Sequence, residues 1–248
     1  MKYTKGLASR LLASIALLGI CLIGSTLQAQ TTPGKAEVRA IQGTAVYSIG
    51  GGPSMPLKVG TVLPSGSTIK TGPESSVDLF LGNNAGVLRV TENSTLGLDK
   101  LALTDTGADT VVEVQLNLPE GTILGNVNKL SAASRYEIKM PNGVAGIRGT
   151  RFRASSTMFI VLLDGTLVLV YVPPGGNPIP YTLVAPPAVY FSPAEGIKPA
   201  PEELVREVSR QFGRPFTPPG PPPGVPFKDP FVSPGTGRPA NPGGGNGG

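Results

Sequence analysis

The apolar residues between residue 35 and about residue 191 come in short runs of β-branched or bulky side chains. Gly, Pro, Asn or Asp bounds each run. Short strands separated by turn residues are typical of an all-β domain rather than of alternating strands and helices. The pattern predicts strands at residues 37–49, 59–63, 76–81, 87–90, 111–118, 122–127, 136–140 and 151–154. We therefore expect an all-β domain over residues 35–191, either a compact β-sandwich or a short β-solenoid-like stack.

The clearest local pattern predicts a β-hairpin. Residues 159–163 and 166–172 are apolar runs separated by Asp164 and Gly165, a pair that favours a type I′ two-residue turn. Both runs are apolar at successive rather than alternate positions. Such strands should be covered on both faces, or on one face by a helix or by residues 181–189.

A helical pattern follows the β region. Pro201 and two acidic residues suit a first turn, and Gly213 suits the end of the helix. The apolar positions recur at helical spacing, at Leu204, Val205, Val208 and Phe212. The pattern predicts one short amphipathic helix over residues 201–213, packed against the edge of the domain.

The two ends of the chain differ from this region in composition. Three basic residues, an apolar run over residues 11–24 and small residues before Ala29 are typical of a secretory signal peptide. We expect cleavage after Ala29 and export to the periplasm or beyond, with membrane contact only if the segment stays uncleaved. Pro and Gly dominate residues 214–248, which predicts a disordered tail.

Residue types that serve many catalytic and metal sites are scarce. The chain has no histidine, and its one cysteine, Cys21, lies in the predicted signal peptide. The mature chain would therefore lack disulfides, thiolate chemistry and histidine-based triads. Cleavage would leave 18 of the 21 basic residues against 16 acidic ones, too small an excess to indicate nucleic-acid binding. We expect no cofactor and no metal.

Acidic residues leave two alternatives open. Paired carboxylates can serve a glycosidase, and residues 99–109 offer oxygen atoms of the kind that calcium prefers, although the spacing is not that of an EF-hand. The acids in question are Asp99, Asp105, Asp109, Glu113 and Glu120. Nothing in the sequence brings two of them together, and solvated turn residues explain them better.

Three stretches of the chain carry a resemblance to a known family. They are residues 60–81, then residues 94–101 with 120–123, and finally Ile147-Arg148-Gly149-Thr150-Arg151-Phe152. The last stretch resembles the Arg-Gly-Thr-x-Phe hallmark of the FecR domain, and the resemblance extends over residues 43–170. We expect Arg148, Gly149, Thr150 and Phe152 to be structural, with a bulge or close backbone approach at Gly149.

The resemblance also implies a class of function. FecR is similar to a membrane sensor whose cytoplasmic segment contacts a sigma factor and whose periplasmic part senses an outer-membrane transporter. Because only residues 1–10 precede the apolar run, we expect the extracytoplasmic module alone to carry over. The chain would be a non-catalytic interaction or scaffold module of the cell envelope. The alternatives are a sensor that acts through a separate membrane partner, and a carbohydrate-active enzyme.

Four basic residues are candidates for surface recognition of an envelope protein or polysaccharide. They are Arg135, Lys139, Arg151 and Arg153, which lie close together in the sequence. On a strand, Arg151 and Arg153 share one face while Phe152 points inward. A solvated sheet face explains the same residues better.

Overall fold

The computed structural model describes residues 30–106 and 109–213. Within these ranges the chain forms seventeen strands and one helix, which confirms the predicted all-β fold with a short C-terminal helix. The elements are β1 (Gln30–Pro33), β2 (Lys35–Gln42), β3 (Ala45–Ile49), β4 (Met55–Pro56), β5 (Val62–Pro64), β6 (Ser67–Thr71), β7 (Ser76–Phe80), β8 (Val87–Val90), β9 (Thr95–Asp105), β10 (Thr110–Glu120), β11 (Thr122–Val127), β12 (Arg135–Met140), β13 (Gly143–Ser155), β14 (Ile160–Tyr171), β15 (Ile179–Ala185), β16 (Val189–Ser192), β17 (Gly196–Pro199) and α1 (Glu202–Gly213). The predicted signal peptide (1–29) and tail (214–248) lie outside the described residues.

The strands form a curled sheet with two arms. Arm I has the strand order β4-β3-β6-β9-β10-β12, with β1 beside the end of β9. Arm II has the order β5-β2-β7-β8-β11. Strands β13 and β14 belong to both arms, because the first half of β13 pairs with β12 and its second half with β11. Strand β15 then extends arm I, while β16 and β17 extend arm II.

The inward-facing side chains of both arms form one hydrophobic core. Alternate residues of a strand point to opposite faces, and β12 shows this clearly: Tyr136, Ile138 and Met140 are buried, whereas Arg135 and Lys139 are exposed. The sequence left a sandwich or a solenoid-like stack open, and the structure is a single curled sheet, a half-barrel whose two arms enclose a common core.

The hairpin predicted at Asp164 and Gly165 is wrong. Both residues lie inside the single strand β14, where they pair with Arg151 and Thr150 of β13. The two apolar runs are therefore successive halves of one strand, the first paired with β16 and the second with β15. The first half is buried on both faces, as expected, but the outward residues of the second half are exposed.

Glycine residues lie where β13 and β14 pass from one arm to the other, because these long strands bend there. Gly149 and Gly165 have φ values of +88° and +92°, a region that side chains with a Cβ rarely adopt. The β13–β14 register shifts between Ile147 and Thr150. A Cβ on Gly165 would collide with the carbonyl oxygen of Gly149, and one on Gly149 would lie 2.6 Å from the Cα of Lys129. The Asp-Gly pair thus serves a bend between the arms instead of a turn.

Helix α1 begins with Glu202 and Glu203, which complement the positive end of its dipole. It buries Val208. Among the described residues, no helix is long and apolar enough to span a membrane.

Candidate interaction surface

The outer face of arm II carries a row of neighbouring side chains that passes beside helix α1. Strand register places the following residues next to one another: Ala40 (β2), Asp78 (β7), Arg89 (β8), Leu124 (β11), Arg153 (β13) and Val161 (β14). Leu124 and the helix residue Val208 are buried without belonging to the main core. A second, smaller buried layer therefore lies between this face and α1.

A buried ion pair joins this layer to the helix. Arg89 donates from Nε and Nη2 to the two carboxylate oxygens of Asp78, at 2.6 and 2.7 Å. The Arg89 and Asp78 side chains are only 10% and 7% exposed. Arg89 Nη1 also donates to the backbone carbonyl of Gln211 at 2.7 Å, in the last turn of α1, where the helix dipole favours a cation. One guanidinium thus satisfies a buried carboxylate and holds the end of the helix.

A cleft of about 700 Å³ opens beside this ion pair. Asp78, Arg89 and Leu124 line it from the sheet, and Glu207, Arg210 and Gln211 line it from α1. The strand ends opposite the helix contribute Gln42, Glu74, Ser75, Ser76, Thr91 and Glu92. The lining holds both charge signs and many hydrogen-bonding groups. It is suited to a polar segment of a partner more than to an apolar small molecule, which favours predominantly hydrophobic walls.

The loop side of the cleft has a defined conformation. The backbone N–H of Glu74 donates to Oε2 of Glu92 at 2.8 Å, and the backbone N–H of Thr44 donates to the Ser75 hydroxyl at 2.9 Å. Glu74 itself has a φ of +50°. These contacts preorganise the wall that faces the helix.

Arg153 extends the same face towards β14 and β16. Its guanidinium carbon lies 6.0 Å from the centre of the Phe159 ring, and that ring lies 5.7 Å from the ring of Tyr190. Partial burial lowers the pKa of Arg153, while the nearby Glu207 of α1 opposes that shift. Arg153 is therefore part of the contact between sheet and helix and only partly available to a ligand.

The four basic residues proposed for recognition do not form one patch. Arg151 and Arg153 share the outer face of arm II, where Arg151 is exposed. Arg135 and Lys139 lie on arm I instead. Arg135 donates to Glu137 at 2.6 Å, a contact that raises its pKa, and Lys139 lies 3.6 Å from Asp99.

The hallmark residues lie at the bend between the arms. Phe152 is fully buried against Gly125, where a Cβ would collide with its ring. Thr150 is also buried, and its hydroxyl makes no hydrogen bond among the described residues. Arg148 is exposed. The bulge predicted at Gly149 is confirmed by the register shift that flanks it.

The acidic residues considered for catalysis or calcium binding do not form one group, although Asp105 and Asp109 flank the same turn between β9 and β10. Asp99 and Asp105 both lie in β9, so that their α-carbons are roughly 20 Å apart at 3.3 Å per residue. Glu113 forms an ion pair with Lys100 at 2.7 Å. Within the described residues, no group of three acidic side chains is arranged to hold a metal ion.

The cleft and its buried ion pair were missed by the sequence reasoning. One signal was present: Asp78 and Arg89 are each the single charged residue of a short, mostly apolar strand. A single charge in such a strand indicates either a solvated face or a buried partner. The partner lies eleven residues away, and only the pairing of β7 with β8 brings the two together.

Comparison with known proteins gives one match. The family model described as FecR protein matches residues 67–167, which run from β6 into β14 and include the hallmark and both bend glycines. No curated protein matches the chain, and neither does any solved structure. The chain therefore contains a FecR domain over residues 67–167.

Proposed function

We propose that this chain is an exported interaction module of the bacterial cell envelope and that it binds a partner protein through the cleft beside α1. The FecR domain supports a role related to envelope or sigma-factor signalling, and FecR proteins typically act in signalling through partner proteins. The signal-peptide pattern supports export. The mechanism is surface recognition without bond chemistry.

The observation that carries the proposal is the polar cleft with its fixed floor. The Asp78–Arg89 pair is bidentate and nearly dry, and the opposite wall is held by hydrogen bonds from Glu74 and Thr44. Preorganised polar groups lose little entropy when a partner binds. The exposed polar side chains of the lining can then contact a peptide backbone or polar side chains of the partner.

Site-specific photo-crosslinking in the producing cells tests this proposal. A photoreactive amino acid replaces Gln42, an exposed residue of the cleft rim. The matched control position is Asn117, an exposed polar strand residue on the outer face of arm I. We expect a discrete protein adduct from position 42 and none from position 117. Equal adducts from both positions, or an adduct only at position 117, would overturn the assignment to the cleft.

Affinity capture with and without residues 214–248 separates the cleft from the tail. Recovery of the same protein by both forms supports recognition by the β domain. Recovery of a polysaccharide by both forms would show that the partner is a glycan and not a protein. Recovery only by the tailed form would move recognition to the Pro/Gly-rich segment.

A second candidate function is that of a sensor or regulator in a sigma-factor pathway, acting through a separate membrane partner. The FecR match favours it. Deletion of the gene should then change the transcripts of one sigma-factor regulon, and the wild-type gene should restore them. An unchanged transcript profile would contradict the regulatory role and leave the interaction module as the proposed function.

A further inference from the structure

Three basic residues gather at the bend between the arms. A Cβ on Gly149 would lie only 2.6 Å from the Cα of Lys129, so the loop after β11 contacts β13 at this glycine. Arg148 directly precedes Gly149, at an α-carbon spacing of about 3.8 Å, and Arg151 follows it two residues later. All three cations are exposed, and we call them the bend patch. A side chain at position 149 would push Lys129 away, so the glycine also brings these cations together.

The bulge turns both arginines to the outer face. Ile147, Thr150 and Phe152 are buried, and the register shift falls between Ile147 and Thr150. In a regular strand, residues three apart such as Arg148 and Arg151 point to opposite faces. An extra residue in the strand changes that alternation. Both guanidinium groups are therefore on the outside, with α-carbons no more than roughly 10 Å apart at 3.3 Å per residue.

The surrounding strands do not neutralise the bend patch. Residues 121–171 contain only two acidic residues, Glu137 and Asp164. Glu137 pairs with Arg135 at 2.6 Å. Asp164 is exposed and lies opposite Arg151, but the ion pairs of the described part of the chain include neither Asp164 nor any residue of the bend patch. Three cations beside one acid leave a formal charge of +2.

Side-chain amides lie next to these cations. Asn126 of β11 is the cross-strand neighbour of Arg151. Asn128 directly precedes Lys129, and its side chain donates to the carbonyl of Asn83 at 2.5 Å. An amide both donates and accepts hydrogen bonds, which suits hydroxyl groups. A lipid surface takes up apolar side chains as well, whereas no large apolar side chain is exposed within residues 121–155. The patch therefore matches a hydroxyl-rich anion better than a membrane.

We propose that the bend patch binds an acidic polysaccharide, a chain of sugars that carry carboxylates. The planar guanidinium of arginine donates two parallel hydrogen bonds to a carboxylate, and the neighbouring amides can bond to sugar hydroxyls. A doubly charged phosphate monoester fits less well, because Asp164 would repel it more strongly. This surface is separate from the cleft, since Arg153 and not Arg151 belongs to the row beside α1.

Isothermal titration calorimetry with polygalacturonate tests the proposal on protein that is expressed from the full sequence and purified as the cell processes it. The patch variant combines Arg148→Gln with Arg151→Gln. The matched control combines Lys100→Gln with Lys139→Gln and removes two exposed charges from the outer face of arm I. We expect the patch variant to bind about tenfold more weakly and the control to bind as the wild type does. Far-ultraviolet circular dichroism should show an unchanged fold in both.

Asp164→Asn provides a test of opposite sign. The substitution removes the one acid opposite Arg151 and keeps the shape of the side chain. The affinity for polygalacturonate should rise by about two- to fivefold, the size of an exposed charge contact, and the gain should shrink as salt screens the charges. A merely structural role of these residues predicts no gain.

Four outcomes would overturn the proposal. They are no binding of polygalacturonate by the wild type, an equal loss of affinity in the arm I control, an unchanged affinity of Asp164→Asn, and equal or tighter binding of polyglutamate, polyphosphate or anionic vesicles. The photo-crosslink from position 42 should persist in the patch variant. A polysaccharide bound at the bend patch would be lost from affinity capture with that variant, whereas one bound at the cleft would be kept, so the two sites are tested separately.

Discussion

The outer faces of the two arms use charged residues in different ways. On arm I the ion pairs Lys100–Glu113 and Lys139–Asp99 are open to solvent, with side chains that are 35–47% exposed. On arm II the Asp78–Arg89 pair is nearly dry because it lies beside helix α1 and also holds the end of that helix. In both places a basic side chain pairs with a carboxylate. The covering element decides whether a pair is a weak surface contact or a structural anchor.

The sharpest test of this difference is Arg89→Ala. The substitution leaves Asp78 buried without its partner and removes the donor to the Gln211 carbonyl. We expect a loss of about 3–5 kcal/mol in the free energy of unfolding, measured by urea denaturation. The matched control replaces both partners, with Asp78→Val and Arg89→Leu, and should recover most of the loss because no charge stays unpaired. A loss below about 1 kcal/mol for Arg89→Ala would mean that the buried ion pair of arm II stabilises the fold no more than the exposed ion pairs of arm I.

A substitution at the bend between the arms should have the next largest effect on the free energy of unfolding. Gly165→Ala forces a side chain into a positive φ and against the Gly149 carbonyl. We expect the free energy of unfolding to fall by about 1–3 kcal/mol, the cost of a strained backbone position. Gly146→Ala is the control in the neighbouring strand, since the nearest atom to its Cβ is 3.7 Å away. Equal effects of the two substitutions in urea denaturation would show that the bend at Gly165 does not require glycine.

The smallest effect should come from arm I. Lys100→Met removes one partner of the exposed Lys100–Glu113 pair and should change the free energy of unfolding by less than about 1 kcal/mol. The effect should shrink further in 1 M salt, where the Debye length is only about 3 Å. A salt-insensitive loss as large as that of Arg89→Ala would contradict the contrast between the arms.

Several strand positions were predictable from local patterns, although β6 and the long strand β9 were not among the predicted strands. Predicted residues 87–90 and 122–127 coincide with β8 and β11, because each is a short run of strand-forming residues bounded by turn residues. The hairpin prediction was wrong for a physical reason. An Asp-Gly pair readily supplies a residue with positive φ, and both a turn and a bend within a strand need such a residue. The partner of each strand decides between them, and that partner lies far away in the sequence.

The candidate site was much less predictable. Arg151 and Arg153 share a face, which follows from the two-residue period of any strand. Their separation from Arg135 and Lys139, however, depends on β13 passing from arm I to arm II. The cleft depends on helix α1 lying over strands β2, β7, β8 and β11, all of which lie far before it in the sequence.

The sequence by itself determined the all-β class, the C-terminal helix and the FecR resemblance, since these depend on residue type and spacing within short segments. Only the tertiary structure decided which charges are buried and where the strands bend. Those properties depend on what covers a residue, and the covering elements come from distant parts of the chain. Burial changes the energy of the same Arg–Asp contact severalfold, so the chemistry of this surface was fixed only by the packing.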